Sequence, residues 1–201
     1  MFKFFYYLKY NTHPARIETK ARQLVMIGSK QAFRMFKSED VRRLLDFNKV
    51  GRTEQDRFFN EMTVTNIVML MLILDYKIEN SDPDERREYL QAVRAEVPKY
   101  YVGFLKRIGI PKEFTKIWQK LIDLRYDEYY KDKMEWKREL MGAKGIKHEI
   151  ATDNRLMIFQ TMAFGLYRHL RRGKVSPKDE LYKRTQNFLL PVYKGLVKKA
   201  G

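Results

Sequence analysis

Residues Gln55–Asp75, QDRFFNEMTVTNIVMLMLILD, contain the longest apolar run in the chain, which extends from Ile67 to Leu74. More apolar side chains precede this run within the same segment. A helix that is apolar on nearly every side near its middle must be surrounded by other elements or by lipid. We therefore predict a central helix over residues 54–78, surrounded by the other helices of an all-α domain.

The rest of the chain also has the pattern of helices. Apolar residues recur at three- and four-residue spacing, and no segment keeps a two-residue alternation. No internal repeat of about 20–50 residues is present. With 201 residues the chain is long enough to bury a core. These features predict a single helical domain, residues 1–201, folded as a compact multi-helix bundle of about seven or eight helices.

Glycine, proline and capping residues predict where several helices begin, bend or end. Gly51 is a predicted helix stop, because glycine enters the left-handed conformation without strain. Thr53 with Asp56 resembles a capping box that opens the central helix. Pro98 predicts a kink or an end in a later helix, and Pro191 predicts a bend in the last one.

Two segments are predicted to lie outside the regular helices. The first is an aromatic arm, residues 1–11, with six aromatic side chains between Phe2 and Tyr10. Its rings can pack on the core, join a second copy of the chain in a homo-oligomer, insert at a lipid interface or stay disordered. The second is a loop over residues 142–152, which contains two glycines.

No segment has the length of a membrane span or the pattern of a secretory signal. Met62–Leu74 covers 13 residues and includes polar side chains, whereas a transmembrane helix needs about 20 apolar residues. The chain also has no cysteine, which excludes disulfides, thiolate metal sites and a cysteine nucleophile. We therefore expect a cytoplasmic protein without a transmembrane segment.

The net charge of +16 is concentrated at the two ends of the sequence. Residues 1–50 contain 11 basic and 4 acidic residues, and residues 151–201 contain 11 basic and 3 acidic residues. Residues 51–100 are slightly acidic, with 7 basic and 10 acidic residues. This asymmetry favours an anionic partner such as nucleic acid or an anionic surface, although solubility alone also explains a high net charge.

The basic carboxy-terminal region is the strongest functional signal in the sequence. The predicted polyanion-binding residues are Arg168, Arg171, Arg172, Lys174, Lys178, Lys183 and Arg184. Phosphate contacts by such side chains release counterions, but basic residues are also favourable at a helix C-terminus because of the helix dipole. His169 lies within this cluster and is interpreted as part of the same basic helix end.

Two polar residues interrupt the central helix, and they are the candidates for a pocket. Glu61 and Asn66 need partners, because an unpaired buried polar group costs roughly 1–3 kcal/mol. Glu61 can pair with an arginine of a neighbouring helix. Alternatively, the two side chains can supply the polar groups of an apolar ligand pocket between helices.

Motifs for catalysis or metal binding are scarce. The sequence has no Walker-type loop and no Gly-x-Ser-x-Gly segment. None of the histidines His13, His148 and His169 has a partner at metal-site spacing. Asp123 and Asp127 favour ion pairing with nearby basic residues over a metal site or an acid–base pair. We predict no catalytic residue, no metal site and no cofactor.

The sequence thus predicts a non-enzymatic binding or scaffold protein that contacts nucleic acid or another polyanion through a basic face. Two alternatives stay open. One is a hydrophobic small-molecule or cofactor-binding protein, which could be an enzyme, with a pocket beside the central helix. The other is a peripheral membrane protein attached through the aromatic arm.

Overall fold

Seven α-helices and no strands make up the part of the chain that the computed structural model describes, residues 10, 12–82, 84–143, 153–176 and 178–200. The helices are α1 (Pro14–Lys37), α2 (Glu39–Leu44), α3 (Arg52–Glu79), α4 (Asp84–Arg107), α5 (Lys112–Gly142), α6 (Asn154–Leu170) and α7 (Glu180–Lys199). The predicted all-α bundle is therefore confirmed, and the predicted central helix is α3.

Helix α3 is the axis of the fold. The neighbouring pairs α1–α4, α4–α5, α5–α6, α6–α7 and α7–α1 pack together and form a ring, and all five of these helices also contact α3. Every residue from Glu61 to Leu74 is buried. By length and composition α3 could cross a membrane, but 83% of its most apolar window is buried inside the bundle, as in the core helix of a soluble protein.

The start of α3 differs from the sequence prediction. Gly51 does not stop the preceding helix: it is the residue before α3, and its φ of −72° lies in the ordinary region. The left-handed residue in this connection is Asp46, with a φ of 51°. Thr53 lies inside the helix, and no side chain caps the helix start. The predicted capping box is therefore wrong.

The two prolines do not end their helices. Helix α4 continues through Pro98 and α7 continues through Pro191. A proline removes one backbone hydrogen bond, and both helices bury apolar residues against the core before and after their proline. Packing on either side thus keeps each helix continuous.

Aspartate side chains cap the starts of the last two helices. Asp153 accepts hydrogen bonds from the backbone N–H groups of Arg155 and Leu156 at the start of α6. Asp179 accepts one from Leu181 at the start of α7. Gly173 follows α6 with a φ of 81°. These contacts satisfy backbone donors that a helix start otherwise leaves unpaired.

The two predicted irregular segments fall mostly outside the described residues. Of the aromatic arm, residues 1–11, only Tyr10 is described. It is buried, and its ring packs edge-on against Tyr89 at a centroid distance of 5.8 Å. Of the loop over residues 142–152, Gly142 is the last residue of α5 and Ala143 follows it, whereas residues 144–152 lie outside the described part.

Candidate functional site

The two basic ends of the sequence come together in the fold, because α1 and α7 are neighbours in the ring. Residues 19–37 and 181–199 each contain five basic residues and no acidic residue. Each helix places its apolar side chains inward at three- and four-residue spacing, so the basic side chains point outward. Along these two segments of adjacent helices, one side of the bundle therefore has many cations and no carboxylates.

Several exposed cations of α1 and α7 have no carboxylate oxygen within 4 Å among the described residues, and seven of them define one surface. We call them the cationic face: Arg22, Lys30, Arg34, Lys37, Lys183, Lys194 and Lys198. Exposed apolar side chains lie between them on the same helices, including Met26, Phe33 and Leu190. The face thus combines positive charge with apolar contact surface.

Two arginines of the predicted carboxy-terminal site are held in ion pairs. Arg168 donates to Glu128 at 2.5 Å and to Asp132 at 2.9 Å, both on α5. Arg171 donates to both carboxylate oxygens of Asp179 at 2.7 and 3.0 Å, and these bonds hold the pKa of Asp179 below its usual range. The charges of both arginines are therefore compensated within the protein.

The third arginine, Arg172, is tied to α3. It donates to Glu54 at 3.1 Å, and Arg57 donates to the same carboxylate at 2.7 Å. Hydrogen bonds from Arg57 and Arg172 lower the pKa of Glu54 to about 2. Arg184 is similarly placed 2.9 Å from Asp40. Arg172 and Arg184 therefore connect the ends of neighbouring helices.

The three predicted lysines remain exposed. Lys174, Lys178 and Lys183 have no carboxylate oxygen within 4 Å among the described residues. Lys174 and Lys178 lie in the connection between α6 and α7, and Lys183 belongs to the cationic face. The structure therefore separates the predicted site into arginines that connect helices and lysines that face solvent.

Sequence reasoning missed the half of the cationic face that lies on α1. The signal was present, because residues 19–37 contain basic but no acidic residues. The basic segments of α1 and α7 form one surface only because the two helices are adjacent in the fold, which the sequence does not show. The ring of Phe33 on the same helix is 48% accessible.

Glu61 is paired with an arginine, which was one of the two predictions for this residue. Arg125 of α5 donates to both of its carboxylate oxygens at 2.7 and 3.1 Å. The arginine also reaches Glu128 at 3.1 Å, and His169 Nε2 lies 3.1 Å from the Glu128 carboxylate. His169 therefore faces a carboxylate, and it lies beside Arg168 in the last turn of α6, which confirms its interpretation as part of a basic helix end.

The basic side chains around Glu128 determine its charge state. Burial by itself raises the pKa of this carboxyl group, but the adjacent His169 imidazole and the charges of Arg125 and Arg168 outweigh burial and lower the pKa to about 2. Glu128 is thus ionised at neutral and mildly acidic pH. These ion pairs connect α3, α5 and α6, which is a structural role.

Asn66 lies where α3 meets α1. Its Nδ2 donates to the Met62 carbonyl oxygen at 2.9 Å, and its buried Oδ1 has no hydrogen-bond partner among the residues that the structure describes. A Cβ atom added at Gly28 would lie 3.4 Å from the Asn66 Cβ. The glycine therefore permits close approach of the two helices at this point. Neither Asn66 nor Glu61 lines the two cavities described next.

Two cavities lie beside the cationic face. The aromatic pocket, about 320 Å³, has a wall of Phe33, Phe36 and Phe59 and a rim of Arg42, Arg52, Gln55 and Asp56. The α6–α7 groove, about 430 Å³, has a wall of Leu156, Phe159, Leu190, Tyr193 and Val197 and a rim of Asp153, Arg155, Lys194 and Lys198. Both volumes fall within the range of about 300–1,000 Å³ that is usual for small-molecule sites.

Comparison of the chain with protein-family models, with curated proteins and with solved structures found no match. Within the described ranges, no three histidine or acidic side chains are grouped so that they could hold a metal ion. The cationic face and its two cavities are therefore the features from which a function can be inferred.

Proposed function

We propose that the protein is a non-enzymatic helical binding protein that contacts nucleic acid or another polyanion through the cationic face. One observation carries the proposal: two basic segments without acidic residues, 19–37 of α1 and 181–199 of α7, lie on helices that are side by side in the bundle. Exposed cations without carboxylate partners attract a polyanion strongly, since each neutralised phosphate releases a condensed counterion. The ion-paired arginines Arg168, Arg171 and Arg172 position helices and are not assigned to the contact.

The arrangement of lysines favours contact with a charged backbone. On α7, Lys183, Lys194 and Lys198 recur on one side of the helix over about 22 Å, at 1.5 Å per residue. Lysine is a flexible point charge, whereas bidentate recognition of single groups is typical of arginine. Backbone contacts set the position of a nucleic acid but carry no sequence information. We therefore propose binding without sequence specificity.

Removing four lysines from the face should weaken binding to labelled duplex DNA about tenfold or more in low salt. The variant changes Lys30, Lys37, Lys183 and Lys194 to glutamine. In a potassium chloride series, the slope of log affinity against log salt should decrease by about 0.9 for each lysine that contacts a phosphate. Fluorescence anisotropy measures both quantities.

A control variant distinguishes binding through the cationic face from a general effect of net charge. Helix α5 has four exposed lysines, Lys112, Lys116, Lys120 and Lys131, and changing these to glutamine removes the same charge. This control should retain most of the affinity. An equal loss in both variants, or no binding of the unaltered protein at low salt, would overturn the proposal and leave solubility as the role of the charge.

The α6–α7 groove supports a second candidate function, binding of a long-chain fatty acid. Its wall is apolar, and its rim contains Arg155, Lys194 and Lys198 against the single carboxylate of Asp153. The rim is therefore net positive, which complements an anionic head group, while the wall can bury an acyl chain. This groove, rather than the surroundings of Glu61 and Asn66, is the apolar ligand site that the geometry favours.

Replacing Leu190 with arginine should lower the affinity for dansyl-undecanoic acid about tenfold or more, because a charge in the groove must be desolvated by the chain. Leu124→Arg, at an exposed leucine of α5, is the control and should have no effect. Titration of dansyl fluorescence measures the affinity. If Leu190→Arg binds as the control does, the groove is not a fatty-acid site. Because Leu190→Arg adds a positive charge, it should not weaken DNA binding.

A further inference from the structure

The aromatic pocket is continuous with the cationic face, because both include the end of α1. Phe33 forms part of the pocket wall and lies between Lys30 and Lys37 in the sequence of α1. The Lys37 Nζ atom is 4.6 Å from the centre of the Phe33 ring. A chain that follows the lysines of α1 therefore passes directly over the mouth of the pocket.

The rings of the pocket form a compact apolar wall. Phe33 and Phe36 each meet Phe59 edge-on, at centroid distances of 6.5 and 5.3 Å. Phe36 and Phe59 are partly buried, whereas nearly half of Phe33 is exposed. An exposed ring at the edge of a pocket is a surface on which a flat aromatic group can stack.

The rim of the aromatic pocket carries a net positive charge and polar side chains next to the apolar wall. Arg42 has no carboxylate oxygen within 4 Å among the described residues, and its guanidinium group lies 4.4 Å from the centre of the Phe47 ring. Arg52 is paired with Asp56 at 3.1 Å. The Gln55 amide is held by hydrogen bonds to the Phe47 and Val50 carbonyl oxygens. The rim therefore has one more positive than negative charge.

We infer that the aromatic pocket receives an unpaired nucleobase and that the partner of the cationic face is single-stranded nucleic acid. The inference rests on the proposed function, since the lysines of α1 guide the backbone to the pocket. Base stacking on exposed aromatic rings beside a positive groove is how proteins bind single strands without sequence preference. Bases in a duplex are stacked inside it and cannot enter the pocket.

The test compares three polyanions: a single-stranded thymidine oligonucleotide, a duplex of equal length and heparin, which has no aromatic group. Phe33→Ala should weaken single-strand binding by about five- to a hundredfold, the contribution of one stacked base. Its affinities for the duplex and for heparin should not change. Phe33→Tyr should restore single-strand binding, because it keeps the ring.

Phe114→Ala is the matched control. Phe114 is 53% exposed on α5, away from α1 and α7 in the ring, and its removal should change none of the three affinities. If the unaltered protein binds duplex and heparin but Phe33→Ala leaves single-strand binding unchanged, the inference is overturned and the proposed function stands. If no polyanion is bound in low salt, both are overturned. Circular dichroism of each variant confirms that the fold is retained.

Discussion

Replacing Glu61 with alanine should lower the free energy of unfolding by about 3–5 kcal/mol, the usual cost of removing one partner of a buried ion pair. The side chain of Arg125, 15% exposed, would keep its charge without the carboxylate that accepts two of its hydrogen bonds. Its remaining contact with Glu128 places the expected loss nearer to 3 kcal/mol. Urea denaturation followed by circular dichroism measures the change.

The control for this prediction is Asp123→Ala. Asp123 is an exposed carboxylate of α5 whose side chain contacts Gln119, so its loss should cost less than about 0.5 kcal/mol. A double variant with methionine at Glu61 and Arg125 should recover much of the stability, because it leaves no unpaired charge. If Glu61→Ala costs no more than Asp123→Ala, the pair contributes nothing. DNA binding by the folded fraction should be unchanged in all of these variants.

Replacing Gly165 with alanine should cost about 3 kcal/mol, the upper end of the range for an overpacked core. An added Cβ atom would lie 2.9 Å from Cδ1 of Tyr129 and closer still to Cε1. The tyrosine ring cannot move easily, because it is fully buried and its hydroxyl is 3.1 Å from the Thr65 hydroxyl. Thermal and urea unfolding both measure the loss.

Two further variants identify the clash as the cause. Gly195 is also inside a helix, and a Cβ atom added there meets nothing within 4 Å. Gly195→Ala should therefore stabilise the protein by about 0.5–1 kcal/mol, the difference in helix propensity. Adding Tyr129→Leu to Gly165→Ala should cost less than the sum of the two single changes. Additive losses would show that the ring and the added methyl group do not interact.

The central helix could be predicted because its signal is local. A run of apolar residues such as Ile67–Leu74 requires burial on every side, whatever its neighbours are. Helix caps are local contacts of the same kind: the backbone partners of Asp153 and Asp179 are only two or three residues away. The prediction failed at Gly51, because a glycine between two helices can precede one as well as end the other.

The roles of the basic residues could not be predicted, because they depend on partners that are distant in sequence. Arg168, Arg171 and Arg172 form one cluster in the sequence, but their carboxylate partners lie on three different segments. Arg172 pairs with Glu54, 118 positions earlier. Charge counts show that an excess exists, whereas only the fold shows which cations are compensated. The aromatic pocket was missed for the same reason, since it joins the end of α1 to the start of α3.

Because α1 and α7 are neighbours in space but far apart in the chain, the cationic face is complete only after both helices have been synthesised. Of the seven described helices, α1 leaves the ribosome first during synthesis and α7 leaves last. A partly synthesised chain presents the α1 half of the face on an amphipathic helix that still lacks α4 and α7 as neighbours. The α7 half joins it only once the ring around α3 can close. The proposed binding across both helices would therefore require that the described helices have already assembled around α3.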